Sequence, residues 1–257
     1  MTIYTHINLM SARIRGIEIA DYIGAKLNPK EPEGVCIDVK PRTLDKVQDG
    51  WWVDFLDSDN TTVSMLKDRP KVNVIAASQC SYDYLKKHLW NRVVLIPSHH
   101  INQERVKRDR KEITVGGYIG GPSPVAFRQY EEIRAELEKM GMGFLSKYDY
   151  KTRQDAIDFY KRIDIFIMRD FDSLGGPHRI PTKIINASSF GIPCIACPQQ
   201  GNKEIEGYYI PAVNMNEIFQ GVEKLSNPAF YEELSEKCLV MAEKYHISNI
   251  AKLYQQL

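Results

Sequence analysis

The segment from His178 to Glu204 constrains the fold of this chain more than any other stretch. It reads as a loop, a helix opened by Pro181, a tight turn and the buried strand Cys194 to Cys197. Proline suits a first helical turn, because its missing N–H is one of the donors that lack an intrahelical acceptor anyway. Gly191 and Pro193 end the helix and launch the apolar strand. The remaining free amides point outward with the positive end of the helix dipole, and Arg179 and Lys183 add charge there. Such a terminus is matched to a phosphate or diphosphate, so the segment predicts a phosphorylated ligand.

A chain of 257 residues, 43% hydrophobic and 26% charged, is long enough for two modest domains or one large one. Its formal net charge of +1 supplies no general field for a polyanion, so no nucleic-acid partner is expected, with the basic run Arg105 to Lys111 as a local exception. No apolar run approaches the roughly 20 residues that span a bilayer. The first residues lack the basic and apolar regions of a signal peptide, so a cytoplasmic location is expected. Five scattered cysteines do not form a disulfide framework and are expected to be reduced. Cys194 and Cys197 make a nominal C-x-x-C, but residues three apart in a strand face opposite sides. No second pair completes a zinc site, so neither a metal nor a cofactor is expected.

The rest of the chain alternates strands with helices, which predicts an α/β fold with parallel sheets. Strands are expected at 2–9, 35–39, 51–57, 72–78 and 92–97, with helices at 11–24 and 82–89. The polar run 99–112 reads as an inter-domain linker closing a first domain, 1–112. A second domain, 113–257, begins with a strand at 113–119, the turn Gly120-Gly-Pro-Ser-Pro and a long helix at 125–140. A strand near 143–145, a helix near 153–162 and the apolar strand 163–168 lead into the opening segment. Helices at 215–225 and 228–246 follow, and 247–257 is helical by pattern.

The ordered combination of strand, Pro-x-Lys helix, Gly-Ile-Pro, apolar strand, Gln-Gly-Asn-Lys-Glu and closing helices resembles the C-terminal domain of GT-B glycosyltransferases. Val72-Asn-Val-Ile-Ala-Ala-Ser followed by Val93-Val-Leu-Ile-Pro-Ser-His-His is similar to the end of their N-terminal domain. The resemblance implies two Rossmann-like domains facing a cleft, with a nucleotide-diphosphate sugar as donor and an unidentified hydroxyl acceptor. It implies diphosphate contacts from Thr182, Lys183 and Arg179, with helix charge standing in for a metal ion. Many retaining members hold the nucleotide ribose through a glutamate where this chain has Asn186. The family's Arg and Lys pair after the first strand of the second domain is absent, although Gly120 and Gly121 still let a ligand approach the backbone. The short first domain and Asn186 keep open a non-catalytic nucleotide- or sugar-binding module, and a nucleotide-sugar epimerase stands third.

Each remaining candidate has a plainer alternative. Arg169 sits at the carboxyl edge of a strand, where open α/β sheets bind ligands, or pairs with Asp170 or Asp172. His178 contacts sugar or phosphate, or is a surface histidine. Glu204 lies where the family places a donor-sugar contact, or caps the following helix. Asp57 and Asp59 end a strand and activate an acceptor hydroxyl, or are solvated. His99 and His100 face the cleft from a strand end, or serve the linker. Arg13 and Arg15 reach an anionic acceptor, or lie on a solvated helix face. Asp57, His99 and Glu204 are the catalytic expectations. Trp51 and Trp52 point to opposite faces of one strand.

Overall fold

Short apolar runs separated by helical segments build two parallel sheets. The computed structural model describes residues 1–5, 12–56, 58–121, 124–169 and 180–257, the side chains of 124–126 excepted. The first sheet contains β1 (Thr2–Thr5), β2 (Lys26–Leu27), β3 (Cys36–Val39), β4 (Trp52–Asp54), β5 (Asn73–Ala76) and β6 (Val93–Leu95), in the order β2-β1-β3-β4-β5-β6. A π-helical stretch, Arg13–Glu18, runs into helix α1 (Ile19–Ile23), and α2 (Asn60–Lys67) and α3 (Gln79–His88) follow. The second sheet contains β7 (Val115–Ile119), β8 (Gly143–Lys147), β9 (Ile165–Met168), β10 (Cys194–Ala196) and β11 (Ile210–Pro211), in the order β11-β10-β9-β7-β8. Its helices are α4 (Pro124–Lys139), α5 (Arg153–Tyr160) and α6 (Thr182–Ser189). Then come a 3-10 turn (Gln200–Ile205), α7 (Met215–Leu225), α8 (Pro228–Glu243) and α9 (Ile247–Tyr254).

Every strand pair in both sheets is parallel, as the alternation of elements predicts. Period-two alternation splits the first sheet's core into two layers. Trp52 packs with Ile3, Ile19 and Ile37 on one face, while Val53 packs with Val74 and Leu85 on the other. Trp51 lies only partly buried and stacks on Tyr4 at 5.3 Å. Helix α9 returns to the first sheet, where Ile247, Ile250 and Tyr254 join the Trp52 layer. The second sheet's core gathers Ile165, Phe166, Ile167, Ile184 and Ile195. Among the described residues no helix is long and apolar enough to cross a membrane.

Two differences from the sequence expectations bear on the site. Asp59 does not end a strand: it is the N-cap of α2, accepting the Thr62 N–H at 2.8 Å. The run 99–112, expected as an inter-domain linker, is fastened to the protein along its length. Arg108 and Arg110 both reach the buried carboxylate of Asp164, at 2.9 and 2.7 Å, and Arg105 makes a two-pronged contact with Glu243. Asn102 donates to the Ser189 carbonyl, and Arg153 donates to the Ile101 carbonyl. The guanidinium groups of this basic run are therefore engaged with the protein's own acceptors, and the segment straps one sheet to the other.

Candidate functional site

The start of α6 faces the space between the sheets. Its first helical residue is Thr182, one position after the expected start, and Pro181 occupies the N-cap with φ −76° and ψ 30°. Proline brings no side-chain acceptor to that position, so the N-cap residue makes no side-chain hydrogen bond to the first turn. Ile185 is the first to donate within the helix, to the Pro181 carbonyl at 3.0 Å. Thr182, Lys183 and Ile184 thus form the first turn, whose amides have no acceptor within the helix itself and sit at the positive end of its dipole. At the other end Gly191 adopts φ +73°, the left-handed turn that a glycine terminator supplies.

Lys183 is held rather than extended into solvent. Its Nζ donates to Tyr118 Oη at 2.8 Å and lies 4.7 Å from the centre of that ring. Gly120 makes this arrangement possible. A Cβ there would sit 2.3 Å from Tyr118 Oη and 2.9 Å from Lys183 Nζ, so any side chain would displace the pair. A Cβ on Gly121 would meet no atom of the described residues within 4 Å.

Thr182, Lys183 and Asn186 line a cavity of about 180 Å³. Its other walls come from Ile119, Tyr150, Ala156 and Tyr160 of the second half, from Ile14, Leu56 and Ser98 of the first, and from Ile101 in the strap. Asn186 Oδ1 accepts the Ile101 N–H at 3.0 Å, so its carboxamide oxygen ties α6 to the strap. Arg169 donates its backbone N–H to Tyr130 Oη at 3.1 Å and its guanidinium to Glu132 at 3.1 Å. Among the described residues its carboxylate partner is Glu132 on α4, and the expected partners Asp170 and Asp172 lie outside them.

The first-half wall is built on a buried ion pair. Arg15 Nε donates to Asp54 Oδ2, and both side chains are almost fully excluded from solvent. Arg15 also donates to Ser98 Oγ at 3.3 Å, and Asp54 Oδ1 accepts the Leu56 N–H at 3.1 Å. Arg15 is therefore neither a solvated residue nor an exposed anion contact. His99 is corrected in the same sense. It is 1% exposed, and its two ring nitrogens each lie 2.9 Å from a carbonyl oxygen, of His100 and of Ile14. Burial pushes its pKa down to about 4, and the ring braces the Ile14 backbone instead of meeting a ligand. His100 is equally buried, and burial pushes its pKa to about 3.

Glu204 lies across the cleft from helix α3. Its Oε2 accepts the N–H of Gln79, the first residue of α3, at 2.9 Å. The carboxylate thus complements the dipole of a helix belonging to the other sheet, not of the helix that follows it. Burial raises its pKa above the ordinary carboxylate value. Glu204, Gln79, Cys80, Tyr84, Lys87 and Lys203 border a second hollow of about 490 Å³ between the halves. Asp57, His178 and Arg179 lie outside the described residues. Sequence reasoning missed Tyr118, Tyr150, Tyr160, Ile14, Leu56 and Ser98. Only Tyr118 carried a signal, as the one large side chain among the glycines of Val115-Gly-Gly-Tyr-Ile-Gly.

No family model matches the sequence, and no curated protein matches it. Solved structures do. The GtfA/B complex superposes with a TM-score of 0.57 at 13% identity, covering 86% of this chain and 52% of that one. AviGT4, a glycosyltransferase involved in avilamycin A biosynthesis, gives 0.62 at 10% identity, covering 100% of this chain and 96% of that one. An alpha-glucosyltransferase in complex with UDP and a 13-mer DNA containing an HMU base gives 0.53 at 10% identity, covering 99% and 97%. The chain spans about half the length of the GtfA/B chain and nearly all of the other two. Two parallel Rossmann-like sheets, strapped together about a cleft and superposing on AviGT4 over nearly the whole of both chains, identify the architecture: the chain has the GT-B fold of glycosyltransferases.

Proposed function

We propose that the protein transfers a sugar from a nucleotide-diphosphate donor to a hydroxyl acceptor. The N-terminus of α6, opening with Thr182 and Lys183 onto the cavity between the sheets, carries this reading. In the reaction the anomeric carbon's bond to the diphosphate oxygen breaks as an acceptor oxygen bonds to that carbon. The acceptor's proton departs, and the diphosphate keeps the electron pair. Charge therefore grows on the leaving group, where the Thr182, Lys183 and Ile184 amides and the Lys183 ammonium stabilise it without a metal ion. The UDP named in the complex of the similar alpha-glucosyltransferase supports a nucleotide donor. Asn186, with its oxygen committed to Ile101 and its side chain also hydrogen-bonded to Tyr160, takes the ribose-facing position that the resemblance implies. We place the boundary between donor and acceptor domains in the strap, 99–112.

The test is turnover. Incubation with a panel of nucleotide sugars releases free sugar or glycosylates an added hydroxyl compound, and Lys183→Ala slows that release by about tenfold or more. One observation favours a second reading, a non-catalytic nucleotide- or sugar-binding module. His99 is sealed in the core and Glu204 is tied to α3, so two of the three expected catalytic groups are engaged by the protein itself. Binding of nucleoside diphosphates without any turnover would select that reading.

A further inference from the structure

The cavity beside α6 has two chemically different sides. Where α6 contributes, it presents Thr182, Lys183 and Asn186; where the first half contributes, it presents Ile14 and Leu56, with Ser98 Oγ committed to Arg15. Ile14 is 4% exposed and Leu56 2%. Polar groups on this side hold the wall in place. The Arg15–Asp54 pair binds Ser98 through Arg15 and the Leu56 backbone through Asp54, and the His99 ring abuts the Ile14 carbonyl.

Leu56 is also conformationally unusual. Its φ of +67° lies in the left-handed region, which disfavours a bulky L-residue. Such strain persists where the surroundings over-determine it and concentrates at ligand sites. The π-helical Arg13–Glu18 stretch, a form frequent at functional sites, supplies Ile14 and Arg15 to the same wall. A bulky apolar side chain is therefore held in a strained backbone against the cavity, beside a charged pair sequestered behind it.

We propose that the wall formed by Ile14 and Leu56 is the acceptor-recognition surface and selects an acceptor carrying a small apolar group next to its reactive hydroxyl. This rests on the glycosyl-transfer reading. The diphosphate occupies the α6 side, so the attacking molecule approaches from the side that faces it, and that side is aliphatic.

A calorimetric comparison of two probes that differ only in the apolar group tests it. UDP, or failing that GDP, is first titrated into the protein. The nucleotide-saturated protein then receives phenyl β-D-glucopyranoside and, separately, methyl β-D-glucopyranoside. The expected result is a phenyl probe bound at least about tenfold more tightly than the methyl probe. Leu56→Asn puts a side chain that tolerates positive φ in place of the leucine, removing the apolar wall without adding backbone strain. That variant and Ile14→Ser each bring the two probes to within about twofold while keeping a cooperative thermal unfolding transition. Equal affinities in the parent protein, including no binding of either, would overturn the assignment, as would a preference that survives both substitutions. Displacement of the phenyl probe by the nucleotide would do the same, by giving the cavity to the base. If neither nucleotide binds, the donor reading fails together with it; if one binds and the probes tie, only the acceptor assignment fails.

Discussion

The two walls of the cleft solve opposite electrostatic problems. On the second-sheet side, positive charge is left available: α6 starts at a proline without a side-chain cap, and Lys183 is steered along Tyr118 to the same end. On the first-sheet side, charge is neutralised internally. Arg15 and Asp54 pair behind an aliphatic surface, and two histidines are kept neutral by burial. The contrast teaches that a charged residue's position in a sequence does not show which way its charge is spent. Lys183 and Arg15 both open a helical segment after a strand, and one lines the cavity while the other supports a wall from behind.

Breaking the buried pair gives the largest effect. Asp54→Ala leaves Arg15 uncompensated in the interior and costs about 3–5 kcal/mol in urea unfolding. Arg15→Met combined with Asp54→Leu recovers most of that loss, because apolar replacement of a buried pair is often close to neutral. The opposite wall answers differently. Lys183→Ala weakens UDP binding by an amount corresponding to about 1.5–3 kcal/mol, the range for hydrogen bonds to charged groups, with a small change in melting temperature. If Lys183→Ala instead unfolds the protein with UDP affinity unchanged, the contrast between the walls is wrong.

The histidines sharpen the comparison through pH. Their unfolded pKa is near 6.5, while burial holds the folded values at about 4 for His99 and about 3 for His100. The unfolded chain therefore binds protons that the native state refuses as the pH drops below about 6.5, and stability falls with it. Between pH 6.5 and 5.5 the two rings together cost about 2 kcal/mol, read as a shift of the urea midpoint, and His100→Asn removes about half of the slope. Glu204 is the smallest term. Glu204→Ala removes the acceptor for the Gln79 amide and costs about 1 kcal/mol, whereas Glu204→Gln keeps an acceptor there and costs less.

Local signals account for the parts of this molecule that were legible in the sequence. Alternating apolar strands and helices announced the parallel sheets. Pro181 and Gly191 bracketed α6 to within a residue, whereas the helix expected at 82–89 begins earlier, at Gln79, where Ser78 caps it by accepting the Ser81 N–H. What stayed hidden depends on partners far along the chain. Arg105 meets Glu243 across 138 positions, and Arg108 meets Asp164 across 56, so a run that reads as a solvated basic linker folds as a strap. Likewise the burial of Arg15, His99 and Asp54 follows from how α9 and the strap cover the first sheet, which no local pattern expresses. The helix Asn60–Lys67 was missed because Asp59 reads equally well as the end of an acidic strand or as an N-cap. The positive φ of Leu56 had no sequence signal, since leucine is not a residue from which that conformation is inferred.

The central claim is that the first amides of α6 hold a diphosphate, and amide NMR during a UDP titration tests it residue by residue. The account predicts that the Thr182, Lys183 and Ile184 N–H resonances shift along one saturation curve, shared with the Gly120 and Gly121 amides. Saturable UDP binding that leaves those three resonances in place, or no UDP binding under conditions where the protein is folded, would contradict it.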